Sequence, residues 1–275
     1  MNWSENGFLS GDLNHWTDSI LKEYAAEFAF VHDLNSAAML MLRNTEIAPR
    51  KIASAAFLAR GLQSYQAALI LLERGMLADA RNVVRSVVET AITIAGLAFI
   101  QDMPQRLAAA NNKHYKAFAM AMLENPALTD LMPLDERDEL RQLLTDAEEY
   151  MQKPEGLNLE QIANQVGLGR FYNLVYRPLS GDAAHPTVDA MKRHIETFEG
   201  SKQKLIFKPQ DTDLVPTLRF AASALITCFE AAAEALNDHD MQIFADEWSM
   251  LQLNLMSSQP AEIEGDVNGN QSRVY

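Results

Sequence analysis

The sequence predicts an all-α protein, a single-domain antiparallel helical bundle with a long N-terminal helix and a disordered C-terminal tail. Three observations carry that expectation. Apolar residues recur at three- and four-residue spacing in segment after segment, the pattern of amphipathic helices. Period-two alternation of β-branched residues is almost absent. Only 12 glycines and 10 prolines punctuate 275 residues, so breaks are few and helices can be long. At 48% hydrophobic and 22% charged the chain has an ordinary globular composition, and it is long enough for a full core. No repeat and no linker divides it. The expected organisation is a flexible N-terminus over residues 1–11, a bundle over 12–256 and a disordered acidic tail over 257–275.

Taken in order, residues 12–44 read as one helix, with Ile20, Tyr24, Phe28, Val31, Leu34 and Ala38 at helical spacing. Pro49 suits the first turn of a second helix, which Gly75 ends after about Arg74. A third runs from about Leu77 to Gln101. So short a connection makes an antiparallel hairpin, the expected heart of the core. Asp102-Met103-Pro104 closes it, and residues 105–123 form a moderately polar helix. Pro126 and Pro133 mark a loop, and 134–152 a charged outer helix. Asn158, with Gln161 three residues on, is a capping-box-like start for a short helix to about Val166. The next helix carries Tyr172 and Tyr176 on one face. It is expected to end or kink at Arg177, because Pro178 disfavours helical geometry in the residue before it. A helix over 187–199, an extended piece at Leu205 to Phe207, a central apolar helix capped by Asp213 and a last helix over about 240–255 with Trp248 complete the chain.

The net charge of −14 is unevenly placed. Residues 1–49 carry seven acids against two bases and residues 238–275 seven against one, which leaves the middle close to balance. That total argues against a protein that coats nucleic acid through a basic face, while leaving room for a local basic site. The single cysteine, Cys228, excludes an intrachain disulfide and, in an apolar run, reads as an inert buried thiol. No basic-then-apolar segment opens the chain, so a secretory leader is not expected. The longest uncharged apolar stretch, between Glu89 and Asp102, is about half of the roughly 20 residues that a membrane span needs. The expected setting is cytoplasmic, with no membrane. Nucleotide cradles, H-E-x-x-H and G-x-S-x-G elbows are absent, and the six histidines are scattered without metal-ligand spacing. No cofactor and no metal is expected.

Chemistry concentrates in F-Y-N-L-V-Y-R-P-L-S-G-D-A-A-H-P-T, from Phe171 to Thr187. His185 precedes Pro186, which restricts its backbone, and a neutral histidine can exchange a proton near pH 7. Gly181 allows a tight turn that would gather Ser180, Asp182 and His185. Arg177 can hold a phosphate or carboxylate through paired hydrogen bonds. On the third helix Arg81, Arg85 and Glu89 share a face at i, i+4 and i+8. Two readings stay open: an intrahelical ion pair on a partly exposed edge, or Arg85 and Glu89 pointing inward, where they need partners.

The combination of L-L-E-R-G-M-L-A-D-A-R-N-V-V-R-S-V-V-E-T-A at 71–91 with Y-N-L-V-Y-R-P-L-S-G-D-A-A-H-P at 172–186 resembles an uncharacterised, all-helical bacterial family. Its recurring features are an R-S-x-x-E helix and a Y-x-x-L-S-x-x-x-x-H-P segment. That family is distantly similar to HEPN domains, helical modules of toxin–antitoxin and phage-defence systems, many of which cut RNA. HEPN nucleases rely on an R-x4-6-H motif. Here the residue five before His185 is Ser180, and the nearest upstream arginine, Arg177, stands at R-x7-H spacing. The resemblance also implies a homodimer with the motif at its interface. The leading expectation is a ligand- or partner-binding or regulatory module in which Arg81, Glu89, Tyr172, Tyr176, Ser180 and Asp182 hold RNA, an anionic small molecule or a partner peptide. The alternative is a metal-independent ribonuclease with His185, Arg177 and Arg85 as its catalytic set. A third reading makes Arg85, Glu89, Tyr176 and His185 a buried network that fixes helix register.

Overall fold

A computed structural model describes residues 6–43, 47–150, 157–182, 187–197 and 203–258. Among them the chain is helical apart from one two-stranded hairpin. The N-terminal pattern folds as α1 (Leu13–Glu23) and α2 (Ala25–Arg43), after a single 3-10 turn at Gly7–Leu9. Tyr24 leaves helical geometry at φ −109° and ψ 41°. Its N–H still bonds the Ile20 carbonyl, and Phe28 N–H bonds the Tyr24 carbonyl, so the long helix is jointed rather than parted.

Helix α3 (Ile52–Glu73) follows a 3-10 turn at Pro49–Lys51 and leads into α4 (Leu77–Phe99). The turn between them is a Schellman closure: Met76 N–H bonds the Leu71 carbonyl and Gly75 N–H the Leu72 carbonyl, with Gly75 at φ +67°. Gln210 N–H then bonds the Gly75 carbonyl at 3.1 Å, tying a distant loop to this corner. The partner of α3 and α4 in the core is α12 (Leu214–Leu236). By length and composition α4 and α12 could each cross a membrane; in this fold they are core helices, burying Val84, Val88, Ala91, Leu225 and Phe229. Phe30 of α2 meets Trp248 of α13 (His239–Ser258) edge-on, with centroids 5.4 Å apart.

Between α4 and the site lies an arm built from α5 (Met103–Leu123), α6 (Pro126–Thr129) and α7 (Leu134–Tyr150). Asn125 caps α6 inside the stretch expected to be loop, accepting from Ala127 N–H at 3.1 Å. Asn158 caps α8 (Leu159–Gln165) as the sequence predicts, its side chain accepting from Gln161 N–H at 3.0 Å.

The helix expected to stop at Arg177 does not stop. Gly169–Phe171 (α9) runs into a π turn at Tyr172–Tyr176 and then into α10 (Arg177–Asp182), and Arg177 itself is helical at φ −60°, ψ −46°. The physical reason is the wider ring: Arg177 N–H reaches back to the Tyr172 carbonyl, and the local widening relieves the clash that Pro178 would make one turn earlier. Gly181 is accordingly helical, not the pivot of a tight turn. The helix expected over 187–199 is also shorter, α11 (Val188–Lys192), capped by the Thr187 hydroxyl. Gln210 Nε2 takes the Arg193 carbonyl at 2.6 Å and Ile206 N–H the His194 carbonyl at 2.9 Å, so the next helical turn loses its acceptors. β1 (Ile195–Thr197) and β2 (Gln203–Leu205) pair antiparallel instead, Ile195 opposite Leu205. Asp213 sits left-handed at φ +67° and makes no side-chain cap; its carboxylate pairs with Arg193 at 3.0 Å. The expected tail falls outside the described residues from 259 onward.

The corner at Gly75 generates a test. A Cβ there would stand 2.5 Å from Pro209 Cβ and 2.9 Å from Gln210 N, at a φ that side chains rarely adopt. Gly75→Ala should lose at least about 1 kcal/mol in urea unfolding. An unchanged midpoint would show that the 209–210 loop is not seated on this turn.

Candidate functional site

The charged line of α4 rises toward the π turn and α10. Arg81, at its lower end, is buried; its Nη1 donates to Thr217 Oγ1 at 3.1 Å and its Nη2 to the Pro178 carbonyl at 3.4 Å. One guanidinium therefore joins α4, α12 and α10. One turn further on, Arg85 Nη1 and Glu89 Oε1 form an i, i+4 ion pair at 3.0 Å. The Tyr176 hydroxyl enters this pair from the facing segment, accepting from Arg85 Nη1 at 3.2 Å and donating to Glu89 Oε1 at 3.0 Å. The geometry is that of an intrahelical pair at a partly exposed edge rather than of inward-facing charges, with a partner from the facing segment added to it.

Tyr176 is also half of a stack. Its ring lies 4.8 Å from that of Tyr172, with 21° between planes. The Arg85 guanidinium lies 5.8 Å from the Tyr176 centroid, and that of Arg177 5.7 Å from the Tyr172 centroid. The order is cation, ring, ring, cation. Arg177 also pairs with Glu160 of α8 at 2.7 Å, in the open. Burial raises the pKa of the Tyr176 phenol, and the Glu89 carboxylate adds to this, while Arg85 pulls the other way. Arg85 Nε is buried without a hydrogen-bond partner among the described residues.

The structure thus brings Arg81, Arg85, Glu89, Tyr172, Tyr176 and Arg177 to one junction. Ser180 and Asp182 are not gathered by a turn: with Gly181 they occupy successive positions of α10, each about 100° round the helix from the last. The Gly181 carbonyl accepts from the Thr187 hydroxyl at 2.8 Å. His185 lies outside the described residues, with 183–186. Sequence reasoning missed Thr217 and Glu160. Thr217 carries no signal, being one hydroxyl in an apolar helix, whereas Glu160 could be found as the exposed acid in the first turn of the helix that Asn158 caps. An open groove of about 590 Å³, lined by Lys192, Arg193, Glu196, Lys208 and Asp213 among others, shares no residue with this junction.

Residues 51–202, more than half of the chain, match a family described as "Family of unknown function (DUF5677)". The match takes in both α4 and the π-turn segment, the two walls of the junction. No curated protein and no solved structure matches.

The Tyr176 phenol gives a pH-dependent expectation. Its folded pKa lies above the ordinary value of 10.0, so the stability it contributes is whole below the unfolded value and is lost as pH rises through the folded one. In alkaline absorbance titration, wild type minus Tyr176→Phe should isolate one phenol with a midpoint above 10.0. A midpoint at or below that value would dissolve the Glu89 contact.

Proposed function

Since the chain belongs to DUF5677, a family of unknown function, we propose from its geometry that it is a binding or regulatory module, recognising an anionic group at the Arg85–Tyr176–Tyr172–Arg177 face. The observation that supports this is the pair of guanidinium groups at either end of one tyrosine stack, each held by a carboxylate that is itself partly in solvent. The Arg177–Glu160 pair is exposed, and such pairs are worth about 0–1 kcal/mol, so an incoming phosphate or carboxylate can displace Glu160 at little cost. It would gain charge-assisted hydrogen bonds from the freed guanidinium. The exposed Arg177 guanidinium, which covers the Tyr172 ring, adds a flat cationic surface for a planar ligand, of which a nucleotide or a stretch of RNA is the natural kind. Arg81 plays a different part: buried against Thr217 and the Pro178 carbonyl, it positions the segment. A cytoplasmic setting with no membrane contact goes with this reading.

A HEPN-like ribonuclease, of the toxin or phage-defence kind, is the second reading. What supports it is that Arg177 and Arg85 flank one surface, where two cations could stabilise phosphorane charge while His185 moves a proton at the ribose hydroxyl.

Thermal shift against inorganic phosphate, mononucleotides and short RNA tests the first reading. A ligand at about a hundred times its Kd should add about 2.7 kcal/mol to stability, and Arg85→Ala or Arg177→Ala should abolish the gain. No shift across the panel, or one that survives both substitutions, overturns it. Incubation with total RNA in chelator tests the second; identical profiles for wild type and His185→Ala sink it.

A further inference from the structure

The groove of about 590 Å³ beside the Arg193–Asp213 pair lies apart from the Arg85 junction. Ligand sites in proteins enclose about 300–1,000 Å³, so the space admits a small molecule. Three separate segments wall it: Trp16 from α1, Arg193 and Glu196 around the start of β1, and the loop from Ile206 to Asp213. That loop is fixed before any ligand arrives. Ile206 N–H bonds the His194 carbonyl and Gln210 N–H the Gly75 carbonyl, while Gln210 Nε2 bonds the carbonyl of Arg193. Leu214 N–H closes its far end on the Asp211 carbonyl at 2.9 Å. A preformed wall spares a ligand the cost of ordering it.

The side chains that remain open select the ligand. The lining is balanced, with Lys192, Arg193 and Lys208 against Glu196, Asp211 and Asp213. A bare anion would therefore meet three carboxylates, and a bare cation three positive groups. Arg193 is committed: its Nη2 pairs with Asp213 Oδ2 at 3.0 Å, and its side chain is only 14% exposed. Lys208 is held loosely, its Nζ 4.0 Å from Glu196 Oε1. The Asp211 carboxylate makes no hydrogen bond or ion pair among the described residues. An available ammonium and an available carboxylate on one fixed loop match a ligand that carries both charges. Apolar surface for the rest of it comes from Trp16 and Ile206, both half-buried. The Trp16 indole N–H is buried and meets no acceptor among the described residues, so this wall also holds an unsatisfied donor. We infer that the groove binds a zwitterion with an apolar side group: a free amino acid, or a short peptide with both ends unblocked. Its ammonium pairs with Asp211, its carboxylate with Lys208, and its side group rests on Trp16 and Ile206. The site does not depend on what the Arg85 junction holds.

Calorimetric titration of the full chain with phenylalanine and with phenylalanyl-phenylalanine distinguishes the two sources, and one of them should bind saturably. Acetylating the amine or amidating the carboxylate of that ligand should each weaken binding about tenfold, the scale of one charge-assisted hydrogen bond. Asp211→Asn should weaken the free ligand to the same degree and leave the acetylated form unchanged. Lys208→Gln should do the same with respect to the amidated form. Both side chains are exposed, so circular dichroism should stay that of wild type. Arg85→Ala should leave the affinity unchanged. Absence of saturable binding by either compound, blocked forms that bind as well as the free one, or indifference to Asp211→Asn and Lys208→Gln would each overturn the assignment. So would loss of binding in Arg85→Ala, because the ligand would then sit at the junction.

Discussion

Three helices meet where Gly61 of α3 faces Thr90 of α4 and Cys228 of α12, and the rest of the fold follows from how closely they approach. A Cβ at Gly61 would stand 3.2 Å from Cys228 Sγ and 3.3 Å from Thr90 Cγ2, so the α3 backbone lies against these two side chains with little room for one of its own. Small residues keep the seam tight along its length: Ala80, Ala91 and Ala95 on α4, and Ala221, Ala224, Ala231 and Ala232 on α12. Packing at this density leaves α4 a single rotation about its axis. With Val84, Val88, Ala91 and Ala95 turned inward, Arg85 and Glu89 fall at the rim of the core. The site is thus a consequence of the seam. Burial pushes the Cys228 thiol far up in pKa, and its Sγ rests near the Val87 carbonyl, which suits an inert packing group.

Arg81 and Arg85 lie one turn apart and have separate work. Arg81 is buried, and a buried guanidinium without partners is expensive, so its bonds to Thr217 and to the Pro178 carbonyl secure α10 against two core helices. Arg85 stands at the boundary, where it pairs with Glu89 and its face lies over a ring. The π turn joins the two roles. Pro178 accounts for it by sterics, and the same proline leaves its carbonyl in place for Arg81. Tyr172 and Tyr176 are the first and last residues of that turn, so the stack and the proline are parts of one local solution.

Much of this was legible in the sequence, for identifiable reasons. Long periodic helices announce themselves, and the Gly75 corner, the Asn158 cap and the shared face of Arg81, Arg85 and Glu89 are local signals with local outcomes. The association of Arg85 and Glu89 with Tyr176 was legible as one of three readings; the choice of Thr217 as a partner for Arg81 belongs to tertiary packing. What stayed hidden was decided at long range. Residues 195–197 have helix-compatible neighbours, and they turn to strand because Gln210 and Ile206 take the carbonyls of Arg193 and His194. Asp213 looks like a cap, yet Arg193 draws its carboxylate away. Pro178 predicts a helix end by the usual steric rule, and the widened turn is the alternative that the rule leaves out.

Local charge, rather than the total, governs what this molecule can hold. A net charge of −14 repels both anions and further copies at long range, but most of the excess resides in the two ends, and at physiological salt the field fades over about 8 Å. Inside that distance the groups that matter are paired and opposed: a guanidinium group at each end of a tyrosine stack, each beside its own carboxylate. An anion reaching Arg85 or Arg177 must compete with one carboxylate at a time, Glu89 or Glu160, and not with the whole surface.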